Sequence, residues 1–158
     1  MKSKFISIAA LAAATAFAPA LTLAADDSEP APVAARADPD FEAGKAAIRR
    51  QSWSEAIGYF SKVAVRDPRN AGAQNWLGYA NRKSGNLDLA FKHYNEALRL
   101  DPKHRGAHEY IGEAYLMKGD VAKAKDHLAA LDRICFFGCE EYSDLKKAIA
   151  EHEQNTMK

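Results

Sequence analysis

Between residues 71 and 104 the apolar positions recur at helical spacing, in two blocks divided by Ser84-Gly85-Asn86. The first block places Ala73, Leu77 and Ala80 on one face, with Asn81 beside them. The second places Leu87, Ala90, Phe91, Tyr94, Ala97 and Leu98 on another. Steps of three and four residues gather side chains on one side of a helix, whereas a strand alternates every second residue. Asp101-Pro102 closes the second block. Proline has no amide hydrogen and disfavours helix at the residue before it, so the helix must stop there. The segment therefore reads as two helices joined by a short turn.

Shifted by 34 positions, the chain matches itself. Gly44, Gly78 and Gly112 align, as do Ala56, Ala90 and Ala124. Phe60, Tyr94 and Leu128 form a third column, and Val63, Ala97 and Leu131 a fourth. Pro68 and Pro102 form a fifth, in which Phe136 holds the third place. Ala43, Leu77 and Ile111 precede the glycines. A glycine inside a helix costs about 1 kcal/mol relative to alanine. Three in phase imply close packing that offsets the cost, with each glycine of a first helix expected to face an alanine of the second. Ser52-Trp53-Ser54-Glu55 fits a capping box, and Asn86 and Asp120 are expected N-caps. By its phase, Trp53 is expected in the core at the turn within the first unit.

Three such units run over about 37–70, 71–104 and 105–138. Beyond them, Glu140 to Glu153 reads as one more helix, with Tyr142, Leu145, Ala148 and Ile149 as its apolar stripe. A stack of repeats needs a terminal element with one polar face. The expected fold is all-α: an α-solenoid of three helix pairs over 40–138, closed by a capping helix and tail over 139–158.

The first 39 residues break this pattern. Lys2 and Lys4 precede an apolar run from Phe5 to Ala18, then Pro19 and small residues up to Ala24 and Ala25. This is the composition of a secretory signal peptide over 1–25, with cleavage after Ala24 or Ala25. Residues 26–39, DDSEPAPVAARADP, carry three prolines and no apolar period, and read as a flexible linker. The chain is thus expected to be exported, to the periplasm of a Gram-negative bacterium. It carries 22 basic and 21 acidic side chains; loss of Lys2 and Lys4 leaves 20 against 21. A near-neutral balance argues against nucleic acid as a partner. After cleavage no apolar run reaches membrane length.

The 34-residue unit resembles the tetratricopeptide repeat (TPR) family. The resemblance rests on Leu77-Gly78, Ala90, Tyr94, Ala97 and Pro102 in the middle unit. In the first it rests on Gly44, Ala56, Phe60 and Pro68, and in the third on Ile111-Gly112, Tyr115, Ala124 and Leu128. Asp40, Gln74 and His108 stand where the family has an early tryptophan, and the third unit lacks its closing proline. The resemblance implies a right-handed superhelix whose first helices line a concave groove that binds a protein or peptide partner. In this register the groove carries Phe41, Lys45, Ile48 and Arg49, then Asn75, Trp76, Tyr79, Arg82 and Lys83, then Glu109, Tyr110, Glu113, Leu116 and Met117. Cations gather at one end and carboxylates at the other, with aromatics between. An acidic segment facing Lys45, Arg49, Arg82 and Lys83 is the expected ligand. Some family members clamp chaperone tails with lysine, asparagine and arginine. Here the corresponding positions hold Phe41, Lys45, Trp76, Gly106 and Tyr110, which do not make that clamp. Association of copies through the edge of a repeat stays open.

The only cysteines, Cys135 and Cys139, flank Phe136-Phe137-Gly138. In an oxidising compartment nearby thiols pair, and a glycine turn allows the Cα atoms to approach within bonding range. A structural disulfide that replaces the missing proline is the leading expectation. A cycling thiol pair that assists maturation of exported proteins is the alternative. Zinc needs four ligands, and His127 and His152 have no predictive spacing from the cysteines. The five histidines have no matching nucleophile and acid, and no catalytic or phosphate-binding motif is present. The chain reads as non-enzymatic, without cofactor or metal.

Overall fold

The computed structural model describes residues 38–156. The signal-peptide reading of 1–25 and most of the expected linker, 26–37, lie outside the described residues. Seven helices follow one another: α1 Pro39–Arg49, α2 Trp53–Arg66, α3 Ala71–Lys83, α4 Leu87–Leu100, α5 Arg105–Met117, α6 Val121–Ile134 and α7 Glu140–Thr156. No strand occurs among the described residues. Helix α1 begins inside the segment read as linker. Asp38 accepts from the amides of Asp40 and Phe41 at 2.9 and 3.2 Å, and Pro39 sits in the first turn, where its missing N–H leaves no bond unmade.

The helices pack as pairs, α1 on α2, α3 on α4 and α5 on α6, and each pair packs on the next. First helices also touch one another, α3 with α5 and α5 with α7. This is the expected solenoid. Its core is carried by fully buried Phe60, Val63, Tyr94, Ile111, Leu131 and Leu145.

The repeated glycines face a different column from the one expected. A methyl on Gly44 would fall 2.7 Å from the Phe60 ring, and one on Gly78 would fall 2.5 Å from the Tyr94 ring. The glycines thus make room for the aromatic column rather than the alanines. In the third unit, Leu128 is only half-buried, and the side chain over Gly112 is Leu145 of α7, 2.7 Å from the site of such a methyl. Leucine is shorter than the rings it replaces in that column, and α7 supplies the missing bulk. Leu145 also falls 34 residues after Ile111, so α7 holds the place of a fourth first helix.

Each turn within a pair uses one left-handed residue: Gln51 (φ 58°), Gly85 (φ 83°) and Gly119 (φ 76°). The next amide then reaches back to a carbonyl five residues earlier: Ser52 to Ala47 at 2.9 Å, Asn86 to Asn81 at 2.8 Å and Asp120 to Tyr115 at 2.9 Å. Of the three expected caps only Asp120 forms, accepting from the Lys123 amide at 3.1 Å. Ser52 and Asn86 make no side-chain cap bond. The reciprocal half of the capping box fails because the Ser52 amide is already bonded to Ala47. Glu55 turns to Arg50 instead, at 3.0 Å.

The turns between pairs show why the cysteines stand where they do. Asp67 and Asp101 end α2 and α4, and their carboxylates accept from the amides of Arg69 and Lys103 at 3.1 and 3.0 Å. Asn70 and His104 then cap α3 and α5, accepting from Ala73 and Ala107 at 2.9 and 3.1 Å. The third turn has lost all of this: Cys135 replaces the aspartate, Phe136 the proline and Gly138 (φ 83°) the cap. In exchange, the sulfurs of Cys135 and Cys139 are joined, with Cα atoms 5.6 Å apart. A covalent tie stands where the other two turns use side-chain hydrogen bonds.

Candidate partner-binding groove

The 34-residue repeat places equivalent residues of α1, α3 and α5 in rows. One row is Phe41, Asn75, Glu109; the next is Lys45, Tyr79, Glu113; a third is Arg49, Lys83, Met117. Aromatic rings join the helices across these rows. Trp76 stacks on Phe60 at 5.9 Å and meets Tyr79 edge-on at 5.6 Å, and Tyr79 lies 4.9 Å from Tyr110. Trp76 and Tyr110, expected as groove contacts, are therefore partly structural.

The expected row of cations is broken by pairing. Lys45 reaches Glu42 at 2.8 Å and lies over the Phe41 ring. Arg82 is 8% exposed. It pairs with Glu113 at 2.5 Å, donates from Nε to the Tyr94 hydroxyl at 3.4 Å, and lies over the rings of Tyr79 and Tyr110. The expected polar split is corrected on this point: Arg82 and Glu113 neutralise each other inside the groove. Burial also raises the phenols of Tyr94 and Tyr110 above the usual tyrosine range, so both stay protonated.

Arg49 and Lys83 remain exposed and make no ion pair among the described residues. With Ile48, Gln51, Trp53, Tyr79, Arg82 and Met117 they line a pocket of about 580 Å³. Trp53 is not a core residue as expected. It is half-buried and meets Tyr79 edge-on at 6.2 Å. Its phase does point inward, but it is the first residue of α2, beyond the end of α1, and Tyr79 covers it only in part.

The opposite end of the groove is acidic. Glu109 is 8% exposed and has no ion-pair partner among the described residues. Burial pushes its carboxyl up to about 8, with Glu113, Asp144 and Glu141 adding to the shift and Arg82 opposing it. Asn75, one row-place earlier on α3, is buried with an Oδ1 that has no hydrogen-bond partner.

Two other clusters lie away from this surface. Cys135 and Cys139 hold the α6–α7 turn, with Phe136 and Phe137 87% and 96% exposed between them. His108 and His127 meet through their Nδ1 atoms at 2.9 Å, and His108 Nε2 lies 3.1 Å from the Pro102 carbonyl. A carbonyl can only accept, so His108 carries its proton on Nε2 and His127 donates from Nδ1. Burial, with His108 adjacent, pulls His127 down to about 4. No set of three or more metal-binding side chains converges among the described residues.

Two profiles described as tetratricopeptide repeat match the chain, over residues 41–105 and 81–149. The chain belongs to the tetratricopeptide repeat family. Similar solved structures include the type III secretion translocator chaperone SycD of Yersinia enterocolitica, at 17% identity and a TM-score of 0.66, covering 75% of this chain and 84% of that one. SycD in complex with a peptide of the translocator YopD gives 19% identity and 0.63, covering 73% and 88%. The TPR2B domain of yeast Sti1, in its complex with pHsp70, gives 19% and 0.67, covering 73% and 94%. At these identities the likeness is one of fold. No curated protein matches the chain.

Proposed function

We propose that the chain is a non-catalytic, exported adaptor that holds a protein segment in its groove, with an acidic group of that segment docked between Arg49 and Lys83. The observation that carries this reading is the pocket itself. Two cations without ion pairs line it together with Trp53 and Tyr79, and aromatic side chains and arginine dominate binding energy at interfaces. The complexes of SycD with a YopD peptide and of Sti1 with pHsp70 support peptide binding as a use of this fold. The amino-terminal composition supports export to the periplasm. A processed chain beginning at Ala25 or Asp26, read by intact mass, would test that point.

The binding test is affinity capture from periplasmic extract, with the processed chain beside an Arg49→Glu/Lys83→Glu variant of equal helicity. Both residues are exposed and make no ion pair among the described residues, so reversal breaks no core contact and costs only the helix-end interaction of about 0.3–1 kcal/mol each. Arg82 is unsuitable, because its reversal would unseat Glu113 and Tyr94. A protein held by the wild type and lost from the variant supports the reading; equal retention overturns it. A second reading, thiol-linked assistance, draws on the exposed Phe136-Phe137 pair between the bonded cysteines. It requires a Cys139→Ser chain to trap a mixed disulfide through Cys135. A bonded pair that stays inert under a periplasmic thiol buffer overturns it.

A further inference from the structure

We propose that the acidic end of the groove, at Glu109, is a subsite for a guanidinium group, so that the bound segment carries a basic residue some distance from its acidic one. This rests on the adaptor reading above and adds the second half of the recognition chemistry.

Hydrogen-bonding inventory points to the ligand class. At the end of the groove between α3, α5 and α7, carboxylates outnumber the cation that faces them. Glu109 is 8% exposed and makes no ion pair among the described residues, its oxygens keeping access to the groove, and the Oδ1 of buried Asn75 has no hydrogen-bond partner. Buried polar groups in folded proteins are otherwise almost always satisfied, and an unpartnered one calls for an explanation. The charges that face Glu109 are Glu113 on its own helix, Asp144 and Glu141 on α7, and Arg82 on α3. Arg82 is already taken by Glu113, and Arg105 stands 3.5 Å from Glu141. Glu109 and Asp144 are left without a cation among the described residues.

The missing partner is a multi-donor cation. A metal ion needs ligands that converge on one point, and no three do so among the described residues. A guanidinium instead presents five donors in a planar fork, has no acceptor, and stacks on aromatic faces. The groove already holds one group of this kind. Arg82 lies over Tyr79 and Tyr110 at 5.4 and 5.7 Å while its fork meets Glu113. Glu109 acts on the Tyr110 phenol, whose ring lies beside that of Tyr79 and already carries Arg82, so this part of the groove is one where guanidinium and aromatic groups meet. Packed helices lie roughly 8–10 Å apart. The sideways step from the α1–α3 pocket to the α5–α7 end is thus about 16–20 Å, and the eight residues between the Glu109 and Met117 rows add about 12 Å along the helix, so the two sites stand roughly 20–23 Å apart, or about six to seven residues of extended chain. The segment chemistry is acid, then an apolar or aromatic stretch, then arginine.

The occupied site differs from the empty one in its proton count. Burial keeps Glu109 protonated at neutral pH, and a docked cation favours the carboxylate, so binding releases a proton. The probe is Nα-acetyl-arginine amide, one guanidinium on a neutral backbone, with the uncharged Nα-acetyl-citrulline amide as control. The readout is the side-chain carboxyl carbon of Glu109 by NMR, assigned by its loss in Glu109→Gln. The arginine probe should lower the Glu109 midpoint by about one unit relative to sodium chloride of equal ionic strength, which corresponds to about tenfold tighter binding to the ionised form. The citrulline probe should not. In Glu109→Gln, which keeps shape and hydrogen bonding, probe affinity should lose its rise between pH 6 and pH 9. A midpoint that moves no more with arginine than with salt, or that moves equally with citrulline, overturns the proposal. The probe never touches Arg49 or Lys83, so such a failure leaves the capture experiment standing, and the reverse holds as well.

Discussion

Gly78→Ala is the sharpest test of the packing logic, because helix propensity and packing predict opposite signs. Gly78 lies inside α3, where alanine is favoured by about 1 kcal/mol. The new methyl, however, would sit 2.5 Å from both Cδ1 and Cε1 of Tyr94, well inside van der Waals contact. Tyr94 is completely buried, and its hydroxyl accepts from Arg82. The ring therefore cannot retreat without disturbing the Arg82–Glu113 pair. Overpacking of a core costs typically 1–3 kcal/mol, occasionally more; at 2.5 Å the cost falls in the upper part of that range, so after the propensity gain the net effect should be a loss of about 1–2 kcal/mol. For a domain of this size that lowers Tm by roughly 3–10 °C. Two sister variants calibrate the measurement. Gly58 lies in α2 with nothing within 4 Å of its would-be methyl, so Gly58→Ala should stabilise by about the full propensity term. Gly112→Ala meets the methyl ends of Leu145 on the terminal helix, which can give way, so its cost should fall between the two. Thermal and urea unfolding followed by circular dichroism reads all three. If Gly78→Ala proves as stable as wild type, the glycine column is not set by the aromatic column.

Three further outcomes follow from the turns and from the histidine pair. Gln51 holds a left-handed conformation that its equivalents give to glycine, so Gln51→Gly should raise stability by about 1 kcal/mol; an unchanged urea midpoint would refute this. Cys135→Ser/Cys139→Ser should cost about 2 kcal/mol by the chain-entropy relation for so short a loop, and amide exchange should rise first in α7; protection lost evenly over all seven helices would contradict a local role. His127 is held near 4, below the unfolded histidine value, so the unfolded chain binds the extra proton between these limits. Its contribution is full above about pH 6.5 and is lost as pH falls towards 4, on the order of 3 kcal/mol at most. Glu109, raised to about 8, acts in the opposite sense, its stabilising protonation being lost as pH rises from about 4.5 through 8. The urea midpoint of wild type should therefore fall relative to that of His127→Gln as pH drops from about 6.5 towards 4; curves that stay parallel would refute the assignment.

The architecture was legible because its signal is periodic. Columns such as Ala56, Ala90 and Ala124 repeat the same packing problem three times, and a misreading of one position is corrected by the other two. What a column faces is less legible. Gly78 sits opposite Tyr94 rather than Ala90 because the space left by a missing side chain is filled by the largest neighbour that reaches it, and spacing along one helix does not say which neighbour that is. Leu145 over Gly112 shows the same limit across repeats, since the short Leu128 made a vacancy that only the next helix could fill. The reciprocal half of the capping box at Ser52 failed because the left-handed turn had already used the Ser52 amide; nothing in the structure explains why Asn86 makes no cap bond where Asp120 does.

The groove was read less well than the fold, and the reason is electrostatic. A row assignment places Lys45, Arg49, Arg82 and Lys83 on one surface, but it cannot say which of them is already neutralised. Arg82 is satisfied twice over, by Glu113 and by Tyr94, and Lys45 has Glu42 within its own helix. Only Arg49 and Lys83 are left to attract an acidic partner. The carboxylates sort the same way: Glu113 is consumed and Glu109 is not. An ion pair across repeats thus removes one charge of each sign from a surface that looks polarised in sequence, and what remains for a ligand is the residue of that cancellation. The unpaired groups at the two ends, rather than the charged row as a whole, are where mutations should change binding without changing the fold.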